Sequence, residues 1–255
     1  MTKTLFTPAK FADCFWQPPE DLAHAKNLAT CEIVMMELPK VLMELPIFIE
    51  HYQKSLRLVA LMSPEDGKNN CIQNTNNKWL GNYVPAALRQ HPFEIETTGK
   101  ERRILVKDGN PHINNDSRGQ ALFAEDNKPS TALQSILTGL NNFADNRILS
   151  SQACKTLYDH GYLKPWTKWE FRDDKNALRK LFCVDESITV KVTADALPNL
   201  FKTGALWLAH SQLLSMHHIN KVQQQITDPK THSPSLHLNI ETLSDNVPID
   251  LDHIV

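Results

Sequence analysis

Glycine is scarce, with 8 residues in 255. That excludes collagen-like chains and glycine-rich barrels. The phosphate-cradling pattern GxxxxGK[ST] is absent, which removes P-loop nucleotide chemistry. No βαβ alternation with a glycine turn supports a dinucleotide fold. No GxSxG occurs, so a serine-hydrolase elbow has no support. The five cysteines, Cys14, Cys31, Cys71, Cys154 and Cys183, are odd in number, widely spaced and free of any CxxC. This argues against a disulfide framework and a cysteine zinc site, and predicts free thiols in a reducing compartment. Charge of one sign is missing too. The 27 basic and 29 acidic residues leave a net charge of −2, which argues against nucleic-acid binding driven by bulk charge. No apolar run approaches the ~18 residues of a membrane span. The N-terminal MTKTLFTPAKFADCFWQPPEDLAHAK has no apolar stretch of the secretory kind. A cytoplasmic protein is the expectation.

What the chain does have is ordinary for a folded protein: 41% apolar and 22% charged residues. A chain of this length buries a sizeable core. Short apolar runs bounded by Pro, Asn and Asp predict strands at 32–36, 47–50, 56–62, 71–74, 94–97 and 103–106. KWEFR and KLFCVDE predict a hairpin around DDKNA. Helices are expected at 40–44, after Pro85 and before Pro92, at 132–143 behind a Thr131/Gln134 capping box, at 151–160, within ADALPNLF, and at 204–222. On the last helix, Leu206, Ala209, Leu213, Met216 and Ile219 form one stripe. Residues 107–129 read as a long surface loop. Strands first and helices later predict an α+β fold with a mostly antiparallel sheet. The organisation expected is an irregular segment over 1–30, one domain over 31–222, and a weakly ordered tail over 223–255.

Chemistry-bearing residues are few. His210 and His217 share a helix face but lie about 10 Å apart along the axis, too far to grip one ion. Asp108, Asn110, His112, Asn114 and Asp116 alternate as in a calcium loop, but Ile113 and Gly119 stand where glycine and glutamate are needed. No metal and no cofactor are expected. Trp166 and Trp169 read as core or interface, since no basic groove accompanies them. The best candidate site combines aromatic area with one anion clamp: Trp79, Tyr83, Arg89 and Phe93. Such a groove suits a protein, peptide or small ligand. Nothing in the sequence sets an oligomeric state.

The stretch WLGNYVPAALRQHPF, 79–93, resembles the bacterial SapC family, whose pattern there is a tryptophan, a Tyr-Val-Pro, then an arginine and Pro-Phe. LPIFIEHY, LRLVALMSPEDGKNNCI, ALFAEDNKPSTALQ, LFCVDE and GALWLAHSQLLSMHHINKV extend the likeness in order over residues 32–222. The missing membrane spans separate this chain from the peptide-transport permease that shares the family name. The resemblance implies an accessory role beside a flavin-dependent halogenase-like system, and it brings no catalytic residue set. The functional expectation is therefore a SapC-like soluble accessory or binding module. The alternatives are an enzyme (an oxygenase or a peptide-modifying enzyme using His210 and distant carboxylates) and a surface-layer-associated protein.

Overall fold

The computed structural model describes residues 2–52, 55–99, 101–172 and 178–224. Its strands are β1 (Lys3–Leu5), β2 (Phe15–Trp16), β3 (Thr30–Ile33), β4 (Ile47–Tyr52), β5 (Ser55–Leu61), β6 (Phe93–Thr98), β7 (Glu101–Lys107), β8 (Ile113–Asn114), β9 (Gln120–Ala121), β10 (Leu163–Arg172) and β11 (Leu178–Val184). Its helices are α1 (Pro8–Phe11), α2 (Leu38–Val41), α3 (Ala86–Arg89), α4 (Thr131–Asp159), α5 (Ile188–Lys191), α6 (Leu197–Lys202), α7 (Ala205–Ser215) and α8 (Ile219–Gln224). All strand pairs are antiparallel, so the α+β reading holds.

The central sheet runs β10-β11-β4-β5-β3. β4 and β5 are near-continuous apolar runs, as strands buried on both faces require. Leu58 and Ala60 face one core with Ile47 and Ile49, while Phe48, Val59 and Leu61 face another. A second sheet, β1-β7-β6, covers a third core, and a small sheet joins β2 to β8 and β9. α4 ties these layers together. Leu133, Leu140 and Ala144 in its first half pack under the second sheet, and Ala153, Cys154 and Leu157 pack under the central one. Among the described residues, no helix is long and apolar enough to cross a membrane.

Several expectations are corrected. The first thirty residues hold β1, which pairs with β7, and β2, which anchors two short strands inside the expected 107–129 loop. The segment 71–74 contributes only a lone bridge between Ile72 and Trp79. The strand expected at 32–36 lies at β3, a turn of 3-10 helix over Met35–Glu37 follows it, and the short helix is α2 rather than 40–44. Two helices expected at 132–143 and 151–160 are the single α4, capped by the Ser130 hydroxyl accepting from the Leu133 amide rather than by Thr131. Gly161, at φ +70, closes that helix as expected. The expected helix at 204–222 is α7, a 3-10 turn and α8.

The buried face of α7 also differs. It carries Leu208, Ala209, Ser211, Gln212 and Ser215, while Leu206 and Leu213 are only half-buried. The polar residues complete the sheet. Gln212 Oε1 accepts from the Val184 amide at 3.0 Å, and its Nε2 donates to the Ile47 carbonyl at 3.0 Å. Ser215 Oγ accepts from the Ile47 amide at 2.9 Å. DDKNA and most of the expected tail lie outside the described residues.

Candidate functional site

The segment between Trp79 and Phe93 is shaped by two prolines. Pro85, with φ −52, is the residue from which α3 starts, and the helix stops at Gln90, short of Pro92. The short helix faces the 3-10 turn at Met35–Glu37 on one side and α4 on the other. Gln90 Nε2 donates to the Gly139 carbonyl at 3.3 Å, which ties α3 to α4.

Glu37 organises this corner. It is only 5% exposed. One carboxylate oxygen accepts from the Tyr83 hydroxyl at 2.8 Å and from the Ala86 amide at 2.7 Å, and the other accepts from the Val34 amide at 3.0 Å. A buried carboxylate needs such a set of donors. Burial, and then the Glu37 charge, push the Tyr83 phenol up to about 12. Tyr83 is thus a fixed neutral donor at neutral pH.

Two cations flank the Tyr83 ring. Lys40 Nζ lies 5.1 Å and the Arg89 guanidinium 5.5 Å from its centroid, inside cation–π range. Arg89 Nε donates to the Val84 carbonyl at 2.9 Å and one Nη to the Tyr83 hydroxyl at 3.3 Å. Among the described residues, neither Lys40 nor Arg89 has a carboxylate at ion-pair distance.

Beside these cations runs a groove of about 540 Å³. Its apolar walls come from Met36, Phe93, Ile136 and Phe143, with Trp16 at its edge. Met36 is 62% exposed and so leaves apolar area open to an occupant of the groove. Phe93 is 3% exposed and forms floor rather than rim, its ring set edgewise against Phe6 and Trp16.

Three of the four residues singled out from the sequence therefore meet: Tyr83, Arg89 and Phe93 line one groove. Trp79 does not join them. It packs against the central core and lines a separate small hollow with Glu44, Gly81 and Lys221. The Asn82 amide bound to Glu44 Oε1 at 2.8 Å fixes that corner. Sequence reasoning missed Glu37 and Lys40. The signal for Glu37 was a glutamate inside the apolar IVMMELP, a charge that needs partners once buried.

The other histidine and loop candidates resolve into local structure. His210 is exposed and its Nδ1 meets the Leu206 carbonyl at 2.9 Å. The His217 and His218 rings touch, 3.6 Å apart, and His218 Nε2 meets the Leu42 carbonyl at 3.1 Å. Asn110 is a turn residue, accepting from the His112 and Ile113 amides at 3.1 Å each. Among the described residues, no cluster of three or more His, Cys, Asp or Glu is arranged to hold a metal ion.

A family model described as SapC matches residues 7–222. The match takes in α1 and β2 as well as the central sheet and the groove. No curated protein and no solved structure matches the chain.

Proposed function

The chain belongs to the SapC family, and we propose that it is a binding module whose groove at Tyr83, Arg89 and Phe93 takes an apolar peptide segment carrying a carboxylate. One observation carries this reading: two cations without carboxylate partners among the described residues stand over a fixed tyrosine ring, at the mouth of an apolar groove. An apolar side chain would gain burial against Met36, Ile136 and Phe143. A carboxylate would find the remaining Nη–H donors of Arg89, beyond those given to Val84 and Tyr83, and the Lys40 ammonium. Preformed walls keep the ordering cost on the ligand side alone.

The accessory role beside a flavin-dependent halogenase-like system, implied by the family resemblance, fits a module that presents or recruits a partner. The test is capture with the full-length chain as bait, in parallel with a Lys40→Ala/Arg89→Ala double variant. A stoichiometric partner held by the first bait and lost by the second supports the reading. A partner retained equally by both removes the groove from it.

A further inference from the structure

Next to the groove, and sharing Gln90, Phe93 and Phe143 with it, lies a more polar space of about 320 Å³. The central sheet supplies Arg57 from β5 and Arg179 from β11, both paired to Glu50 of β4. Glu50 is fully buried at 0% exposure and accepts from Arg57 Nε at 2.6 Å and from Arg179 Nε. Arg179 Nη2 also donates to the Thr30 hydroxyl at 2.5 Å. Glu32 on β3 pairs with Arg147 of α4 through two bonds, at 2.8 and 3.0 Å. On the second sheet, Glu94 takes both Lys3 at 2.5 Å and Lys107 at 3.1 Å.

Four cations, Arg57, Lys107, Arg147 and Arg179, line this chamber with two carboxylates, Glu32 and Glu94, while Glu50 and Lys3 are not part of its lining. A carboxylate shared between two guanidiniums leaves positive charge uncompensated in a partly dry site, where charge is costly unless matched. The remaining wall is a pair of imidazoles. His24 and His91 stack with ring centroids 3.8 Å apart and planes 6° from parallel. His24 Nε2 and His91 Nδ1 are buried with no hydrogen-bond partner, and His91 is 9% exposed. They are two of eight such buried side-chain atoms among the described residues. Burial and the neighbouring positive charge of Lys107 keep both rings neutral at neutral pH. The rings lie parallel, so their nitrogens do not converge on one point as metal ligands must. A basin of about 930 Å³ adjoins this space, and His24, His91 and Lys107 line both.

We propose that this chamber binds a small oxyanion, the phosphate or carboxylate group of a ligand that enters through the histidine-lined basin. Arg57, Arg179 and Lys107 supply the charge. The neutral His24 and His91 rings form an uncharged wall beside these cations. Its charged residues are none of those that line the groove, so the site stands or falls independently of it.

The test is a titration of the full-length chain with inorganic phosphate and, separately, with acetate. Each is run against sodium chloride at matched ionic strength, following the arginine Nε–H and histidine ring resonances by NMR. Saturable shifts at Arg57, Arg179 and His91 are expected. Affinity for the responding anion should weaken at least about tenfold in Arg57→Gln and in Lys107→Gln. Lys107→Gln leaves Glu94 its bond to Lys3 and so keeps the local fold. Lys128→Gln, at an exposed lysine outside both the chamber and the groove, should bind the anion as the parent does. Saturation by phosphate alone supports the site and assigns a phosphoryl ligand, and saturation by acetate also supports it and admits a carboxylate. A response to both anions no greater than to chloride, or Lys107→Gln binding as tightly as the parent, overturns the proposal.

Discussion

The Tyr83 hydroxyl donates to Glu37 Oε1 at 2.8 Å, and the same oxygen accepts from the Ala86 amide at 2.7 Å. One buried carboxylate thereby fixes the ring between the two cations and the start of the helix that carries Arg89. Glu37→Ala removes the acceptor for three donors at once. It should cost about 2–4 kcal/mol, since each orphaned buried donor costs about 1–3 kcal/mol and such losses do not simply add. Tyr83→Phe, which removes one bond and leaves Glu37 two donors, should cost only about 0.5–1.5 kcal/mol. Urea denaturation of the three proteins measures both.

Gln212 makes a second such test in the core. Its amide replaces strand partners at the Val184 amide and the Ile47 carbonyl. Gln212→Leu has a similar volume and greater hydrophobicity, yet should destabilise by about 2–4 kcal/mol by leaving both backbone groups unpaired. Equal or higher stability in denaturant would show that these bonds contribute nothing net.

The stacked histidines predict a pH dependence of stability. Burial first, and then the charge of Lys107, hold His24 down at about 4; burial, His24 and Lys107 hold His91 down at about 3. Burial lowers His112 as well. In the unfolded chain these rings take up protons near the ordinary value of 6.5. Between there and about pH 4 the unfolded state binds more protons, so stability is full above about pH 6.5 and falls as pH drops. Asp21 and Glu94, also near these rings and lowered in the fold, act only below about pH 5, where carboxylates of the unfolded chain begin to protonate. Denaturation midpoints at about pH 7.5, 6.5 and 5.5 should decline through the last step, and the decline should be shallower in His91→Asn. A flat profile over that range contradicts neutral, buried rings.

The thiols give a chemical check on the packing. Burial raises the Cys31, Cys71, Cys154 and Cys183 thiols and withholds the nucleophilic thiolate. Cys14 is half-exposed, although burial raises it too. Native protein should react with a thiol reagent at Cys14 alone, and the other four should react only after unfolding. Mass-spectrometric mapping of the modified residues reads this directly.

The fold was legible where burial is continuous. IFIEHY and SLRLVAL announce β4 and β5 because both faces of these strands are covered. α4 was harder to read as one helix. Between its two buried halves, Arg147 and Ser150 turn polar groups into the seam between cores, bonding Glu32 and the Met35 amide, while Ile148 and Leu149 stay exposed. That breaks the apolar period without breaking the helix. The α7 stripe was misassigned for a related reason, since Gln212 and Ser215 are buried to serve the sheet, which periodicity of apolar residues does not register. β1 and β2 are too short for any local pattern and exist only through pairing with distant strands. In the site, Tyr83, Arg89 and Phe93 were visible because one short segment carries all three. Glu37 and Lys40 come from the 3-10 turn and α2, more than forty residues upstream of Tyr83, and Trp79 is led away by its bridge to Ile72.

The groove itself is tested most directly by titrating the isotope-labelled full-length chain with short peptides. Each peptide pairs one aspartate with a leucine or phenylalanine three residues away, and is matched by the same peptide with asparagine. Amide shifts concentrated at 34–40, 83–93 and 135–143, stronger for the aspartate peptide and lost in Lys40→Ala/Arg89→Ala, are the predicted result. Shifts that ignore the charge, survive the double variant or fall away from these three segments would contradict the account.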